Sequence, residues 1–459
     1  MRSFYSLVSL FVVSLLATLT SATATGGNRV LILLDSLADI DRYSQFWDHL
    51  QGNVFFFEKK MGQSSSYLHH LETERGFETV IKEADDEATS LYYFGEHLFS
   101  HIVHFAPNSN KLGANPNLNN IQLINFVKKG GNMLIAATPE ASDTMRALAS
   151  EFDIELESEK VFDHSQYIDQ DHGLVATSNV VGPASVIDKK QIGAPILFSG
   201  SGLTVGDVPL STAILNAESS AFASDVYQKR ASTDRPVTLV GALQARNNAR
   251  VTFVGSVDIF SDKLINSAVN IGSEKSYSKS GNSEFIRQLC QWTFQEKGIL
   301  KITGHKHHKE NETEQLDWYR VKDDIVYTVD IAELKNGEWI PYNADDVQLE
   351  IIMLDPYIRT TLKQVPNSEN VGRFEARVKL PDVYGIFTFK VNYKRTGFTY
   401  LLAEDQVSIR PFRHNEYPRF LTAAYPYYSA TGSMVVGFIL FSAIWLTTYG
   451  NDSKKTKTK

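Results

Sequence analysis

A chain of 459 residues is too long for one hydrophobic core and implies two or three domains, and its 43% hydrophobic content is that of a globular protein. The net charge of −8 argues against a nucleic-acid partner. A single cysteine, Cys290, excludes an intrachain disulfide, so the domains must be held by their cores. The chain opens with one early arginine, an apolar stretch from Phe4 to Leu19, and the small-x-small site Ala22-Thr23-Ala24. That pattern reads as a secretory signal peptide over residues 1–24.

Five apolar runs follow: "RVLILLD" (Arg29 to Asp35), "HIVHFAP" (His101 to Pro107), "NMLIAAT" (Asn132 to Thr138), "VTLVGAL" (Val237 to Leu243) and "RVTFVGS" (Arg250 to Ser256). Strands buried on both faces look like this, and they belong to parallel sheets. Helical stretches alternate with several of them. One places Leu118, Ile121, Ile124 and Val127 at helical spacing before Gly130-Gly131, which can close the helix in a left-handed conformation. Another carries Phe285, Leu289 and Trp292 and ends at Gly298. Alternating strands and helices predict a layered α/β domain over residues 28–298, with 153–236 an insertion or second lobe.

Past Gly298 the period changes to two. Phe374, Ala376, Val378 and Leu380 alternate with charged residues, and Phe387, Phe389, Val391 and Tyr393 share one face. This predicts antiparallel strands with one wet face, and a β-sandwich over residues 316–413. Further strands are expected at Val326 to Ile331, Gln348 to Leu354 and Val407 to Pro411. Residues 299–315, with the polar run "GHKHHKENETEQ", read as the linker between the domains.

The apolar run over residues 429–449 matches the ~20 residues that a helix needs to cross a bilayer. Tyr425, Tyr427 and Tyr428 flank one edge, and Trp445 and Tyr449 the other, as interfacial aromatics do. Lysines 454, 455, 457 and 459 mark residues 450–459 as a cytoplasmic tail, so the chain is a single-pass type I protein with its bulk in the lumen. Lys455 and Lys457 have the K-x-K-x-x spacing of a dilysine signal for retrieval to the endoplasmic reticulum; a plain positive-inside anchor is the other reading. Ser429, Ser433 and Gly437 recur every four residues and would let a neighbouring transmembrane helix approach closely.

Several residue groups could carry chemistry. Asp39 and Asp41 form a D-x-D pair of the kind that holds a divalent metal, and Asp169-Gln170-Asp171-His172 is a second acidic cluster. Acids after a strand also begin turns or cap helices, and that is the reading we prefer. His305, His307 and His308 lack partners at ligand spacing and read as solvated linker. "SGSGLTVG" (Ser199 to Gly206) lacks the context of a phosphate loop and reads as a turn, and Cys290 as a buried structural thiol. Asn311-Glu312-Thr313 is a glycosylation sequon in the luminal part, whereas Asn451-Asp452-Ser453 lies past the membrane.

More specific stretches are "GALQARNNARVTFVGSVDIFSD" (Gly241 to Asp262), "DDVQLEIIMLDPYIRTTLK" (Asp345 to Lys363), "KLPDVYGIFTFKVNY" (Lys379 to Tyr393), "QVSIRPF" (Gln406 to Phe412) and "YPRFLTAAYPYY" (Tyr417 to Tyr428). In order, they resemble the 48-kilodalton subunit of the oligosaccharyltransferase. The resemblance implies a non-catalytic subunit of the endoplasmic reticulum complex that moves a preassembled glycan from dolichyl diphosphate to asparagine in N-x-S/T. It implies an α/β domain like the glutamine-amidotransferase (flavodoxin-like) parallel-sheet fold, without a matching cysteine nucleophile. It implies no catalytic residue, metal or cofactor in this chain. The partners it implies are a catalytic multi-pass subunit and the ribophorin-type and small membrane subunits. The competing reading is a luminal metal-dependent carbohydrate-active enzyme using Asp39 and Asp41.

Overall fold

The computed structural model describes residues 27–51, 77–86, 88–109, 115, 117–163, 172–224, 236–271, 275–335, 337–366, 372–417, 419 and 422–455. The signal-peptide segment, Asp169 to Asp171 and Lys457 lie outside them. β1 (Arg29–Leu34), β2 (Glu78–Glu83), β3 (His101–Phe105) and β4 (Asn132–Ala136) lie parallel in the order β2-β1-β3-β4. β1 shows why such a strand reads as unbroken apolar sequence. Val30, Ile32 and Leu34 enter one core, and Leu31 and Leu33 enter another on the opposite face. Helices α1 (Ser44–Gln51), α2 (Asn120–Lys128) and α3 (Asp143–Ser150) cover these cores. In α2 the buried face is Leu123, Phe126 and Val127, while Ile121 is 66% exposed. The helical face is thus rotated from the expected one, because Leu118 packs before the helix begins. Gly130, at φ +102°, closes α2 in the expected left-handed conformation.

The sheet does not remain parallel. β5 (Ile154–Phe162), β6 (Ser201–Val205), β7 (Ser211–Asn216), β8 (Phe222–Ser224), β9 (Thr238–Gln244) and β10 (Arg250–Val254) complete it. β10 is parallel to β4 but antiparallel to β9. The turn explains the reversal. Ala245 N donates to the Ala249 carbonyl, and Asn248 sits at φ +67°, a conformation asparagine tolerates. So short a connection can join only antiparallel strands; a parallel pair needs a longer crossover. "VTLVGAL" is therefore an antiparallel strand.

Residues 153–236 are not a separate lobe. β5, β6 and β8 extend the same sheet as antiparallel strands, and β7 pairs with β9. Val161, Val186, Phe198 and Leu215 enter the core already begun by β1. "SGSGLTVG" is strand β6 rather than a turn. α4 (Asn282–Thr293) buries Phe285, Leu289, Cys290 and Trp292 in that core.

The expected linker over 299–315 is corrected. β11 (Ile299–Lys309) is a strand that pairs along its length with β13 (Asp324–Lys335), and the turn after it is solvated. Its polar sequence misleads because alternate residues face water, while His307 is buried and satisfied by Tyr319 Oη at 2.8 Å and Gln315 at 3.1 Å. His305 pairs with Asp405 at 3.1 Å, so neither residue is a linker histidine. One sheet of the sandwich is five-stranded and contains β11-β13-β16, with β16 at Gly372–Lys379 and the short strands Glu338–Pro341 and Lys363–Gln364 at its edges. The other contains β12 (Trp318–Arg320), β14 (Gln348–Met353), β15 (Asp355–Thr361), β17 (Gly385–Tyr393) and β18 (Leu401–Arg410), in the order β12-β18-β17-β14-β15. Phe374, Ala376, Val378, Leu380, Phe387, Phe389, Val391 and Tyr393 fill the space between them, the two inward sets that the period-two pattern predicted. Helix α5 (Tyr425–Lys455) closes the chain; Thr422–Thr448 is long and apolar enough to span a membrane.

Two histidines lie inside the parallel half. His101 Nε2 faces the Gly27 carbonyl at 3.0 Å, and its Nδ1 faces the Asn132 amide at 3.2 Å. His104 Nδ1 accepts from Ala106 N at 3.4 Å. Burial pushes both imidazoles down to about 4. Free imidazoles take a proton near 6.5. Between those values the unfolded chain holds more protons than the folded one, so acid favours unfolding. Stability should fall as pH drops from ~6.5 to ~4, by about 3 kcal/mol per histidine at ~1.4 kcal/mol per pH unit. Urea midpoints measured across that range should show the fall, and His104→Asn should make it shallower. A flat profile would refute the assignment.

Candidate functional site: a domain joint and a membrane anchor

The two domains meet around Arg250, the first residue of β10. Its side chain is fully buried. Nη1 donates to the carbonyls of Trp292 at 2.6 Å and Lys297 at 2.7 Å, and Nη2 to that of Gly298 at 2.8 Å. The guanidinium also lies 4.8 Å from the Trp292 ring centroid. Burial lowers its pKa to about 9, which leaves it charged at neutral pH. These partners are carbonyl oxygens, so the cation fixes the backbone at the point where α4 ends and β11 begins.

The loop between β17 and β18 completes the joint. Trp292 Nε1 donates to the Gly397 carbonyl at 2.9 Å, Gln244 Nε2 to that of Phe398 at 2.7 Å, and Thr399 N to that of Gly298 at 3.0 Å. Tyr400 N donates to Asn248 Oδ1 at 2.7 Å, and Leu300 N to Thr399 Oγ1 at 2.7 Å. The backbones approach closely. A Cβ on Gly298, at φ +68°, would stand 2.3 Å from the Gly397 carbonyl oxygen. No side chain fits there.

The structure separates the residues that the sequence offered for chemistry. Asp39 and Asp41 lie on a 3₁₀ helix, Leu37–Tyr43, capped by Ser36. Side chains advance about 120° per residue on such a helix, so two residues apart they diverge. Arg42 of the same helix pairs with Asp258. Nearby Asp35 has its pKa raised mainly by burial, with Asp39 and Asp85 adding repulsion against the Asn108 and Ser109 amides. Among the described residues no group of three or more His, Cys, Asp or Glu is placed to hold a metal. Cys290 is buried on α4. Asn311 stands exposed in the turn after β11, which the Glu312 amide closes by donating to the Lys309 carbonyl at 3.0 Å.

On α5, Ser429 Oγ donates to the Pro426 carbonyl and Ser433 Oγ to that of Ala430, each at 2.8 Å. Both hydroxyls are satisfied within their own helix. A Cβ on Gly437 would meet nothing within 4 Å. α5 continues past the expected boundary at 449 to Lys455, the last described residue, so the tail is helical over 450–455.

Arg250 and the loop at Gly397 were missed in the sequence. The available signals were an arginine heading an otherwise apolar strand and glycines at positions 298 and 397.

Family models described as "OST48, N-terminal domain" and "OST48 middle domain" match residues 56–296 and 307–449. The chain is 35% identical over 454 residues to the "Dolichyl-diphosphooligosaccharide--protein glycosyltransferase 48 kDa subunit" of Arabidopsis thaliana, covering 96% of this chain and 98% of that one. It is 36% identical over 455 residues to the protein of the same description from Danio rerio, covering 96% of each chain. The counterpart in Drosophila melanogaster is 36% identical over 436 residues, 91% of this chain and 90% of its own. Among solved structures, the "mmIFT52 N-terminal domain" aligns with 58% of this chain and 97% of its own, at TM-score 0.40 and 14% identity.

The joint can be tested directly. Arg250→Leu removes the guanidinium from three carbonyls, of which those of Trp292 and Gly298 keep the Gln295 and Thr399 amides as donors, and it should cost about 3 kcal/mol in denaturant unfolding. Arg373→Leu, which removes an exposed pair with Asp330, should cost at most about 1 kcal/mol. Equal costs for the two would show that the joint is incidental.

Proposed function

The chain belongs to the family of the 48 kDa subunit of dolichyl-diphosphooligosaccharide–protein glycosyltransferase, and we propose that it serves that complex as a non-catalytic subunit that assembles and stabilises it. It is a subunit of the oligosaccharyltransferase, which transfers a preassembled glycan from dolichyl diphosphate to asparagine in N-x-S/T sequons. The observation that carries this is end-to-end colinearity: 96% of this chain aligns with 98% of the Arabidopsis relative. The non-catalytic role is supported by the diverging directions of Asp39 and Asp41 and by the burial of Cys290. The alternative, an enzyme built on Asp39 and Asp41, has no support from the relatives, which are named as subunits.

The proposed partners are the catalytic multi-pass subunit and the ribophorin-type and small membrane subunits. Within a bilayer, hydrophobicity cannot draw helices together, because lipid tails are as apolar as leucine. Close backbone approach can, and the Ser429–Ser433–Gly437 face permits it. Gly437→Leu should insert normally yet recover several-fold less catalytic subunit in mild-detergent purification, about 1–2 kcal/mol of packing. Equal recovery at matched expression would leave assembly to the soluble domains and sink this role for the face.

We also propose that the protein resides in the endoplasmic reticulum membrane as a single-pass type I chain with both large domains luminal. The exposure of Asn311 supports glycosylation there, and the Lys455 and Lys457 spacing supports retrieval. One glycan, sensitive to endoglycosidase H, should be present on the full chain and absent from Asn311→Gln. A glycan removed by Asn451→Gln instead would invert the orientation, and a resistant one would show passage through the Golgi.

A further inference from the structure

The five strands β12, β18, β17, β14 and β15 share an end at which large apolar side chains face solvent. Register sets Trp318 beside Ser408, and Ser408 beside Ile386. The pairing of Ile352 with Thr388 carries the next turn residue, Leu354, to the same level as Ile386. Neighbours Tyr319, Phe387 and Val407 point inward and are buried, whereas Ile386 is 67% exposed. Tyr384 before β17 is 68% exposed, Tyr357 on β15 is 44% exposed and Leu354 is 99% exposed. Leu354 also sits at φ +65°, where glycine or asparagine fits with less strain. Both backbone conformation and water thus disfavour leucine at this tip. Farther up the same face the residues become polar: Thr388, Gln406, and Lys390 paired with Glu404 at 2.6 Å.

This end is also the one tied to α5. β18 finishes there at Arg410, whose guanidinium grips both oxygens of Glu416 at 2.7 Å and lies 4.4 Å from the Trp318 ring centroid. Phe412 packs on Tyr417 at 5.5 Å. The segment after β18 is therefore folded back beneath the sheet end. From Tyr417, five residues reach Thr422, where the apolar span begins. That is at most about 18 Å of extended chain.

We propose that the sheet end carrying Leu354, Tyr357, Tyr384 and Ile386 rests in the phospholipid interface of the bilayer that α5 crosses, on the leaflet nearer the sandwich. The inference rests on α5 spanning a membrane and not on the identity of the complex. Continuity with the anchor selects lipid as the occupant, since the tether holds this end at the membrane. The chemistry agrees: tyrosine and tryptophan are interfacial residues, and a lone leucine tip has an apolar medium within reach. The contact does not need anionic lipid, because Arg320, Arg359 and Arg410 are paired with Asp323, Glu350 and Glu416. Anchor and patch together fix the tilt of the domains.

The test uses the full chain in phosphatidylcholine vesicles. Cys290 is buried, so Leu354→Cys can carry a bimane label alone. Leu402→Cys, at the opposite end of the same face, is the control. Brominated phosphatidylcholine should quench the label at position 354 at least about twofold more than at 402, as expected of a side chain in the interface. Tyr384→Cys should behave as Leu354→Cys does, and unchanged melting of each labelled chain shows that it is folded. Equal quenching at 354 and 402 overturns the proposal. So does a label in the purified complex that is shielded from aqueous iodide but untouched by bromolipid, since a protein partner then covers the patch.

Discussion

The joint between the α/β domain and the sandwich turns on one buried cation. Arg250 places a full charge where water cannot reach, a position that would be prohibitive without compensation. Three backbone carbonyls and the Trp292 ring supply it. Those carbonyls belong to the end of α4 and the segment entering β11, so solvating the charge and joining the domains are the same act. Trp292 then extends the joint by donating to Gly397 in the sandwich. A hydrophobic side chain of similar size could fill the space, but it could not hold three carbonyls in fixed directions.

The Asn132 side chain links this joint to the sheet. Its Oδ1 accepts from Arg250 N at 2.8 Å and from Gln295 Nε2 at 3.2 Å, so its amide must donate to His101. That fixes His101 as the tautomer with Nδ1 unprotonated and Nε2 donating to Gly27. The domain joint and the acid-labile histidine are therefore parts of one hydrogen-bonded network. Loss of the His101 tautomer on protonation would disturb Asn132 and, through it, the backbone of Arg250.

Periodicity revealed what depends on one strand or one helix. The inward set of β17, the burial of β1 on both faces and the left-handed Gly130 were all legible, because each follows from neighbours in sequence. What depends on distant partners was not. β9 reads like a parallel strand because burial on both faces gives the same composition whichever way a strand runs; its direction is set by the turn at Asn248. β11 reads as a linker because His307 looks polar until Tyr319 and Gln315 are placed beside it. Residues 153–236 read as a lobe because their strands find their neighbours far away along the chain. In the candidate site, Asp39 and Asp41 were visible as a pair but not as diverging, and Arg250 was invisible as a joint because its partners are main-chain atoms that any sequence supplies.

The joint matters to the membrane end because it makes orientation transmissible. The Asn311 turn follows β11 and lies at the end where β13 begins, and the β12–β13 connection there is fastened to β18 by Val321 N donating to the Arg410 carbonyl. The sequon and the Leu354 tip therefore occupy the same end of the sandwich, but on opposing sheets. The glycan proposed for Asn311 would need open solvent, while the proposed interface contact would place Leu354 in lipid. Both can be satisfied only if the sandwich leans, with the Leu354 sheet toward the bilayer and the Asn311 sheet lifted from it. The joint then carries that lean into the α/β domain, because Trp292, Gln244, Gly298 and Asn248 hydrogen-bond to the β17–β18 loop across it. A short tether and a hydrogen-bonded joint are thus enough to give the mixed sheet of the α/β domain a set angle to the membrane.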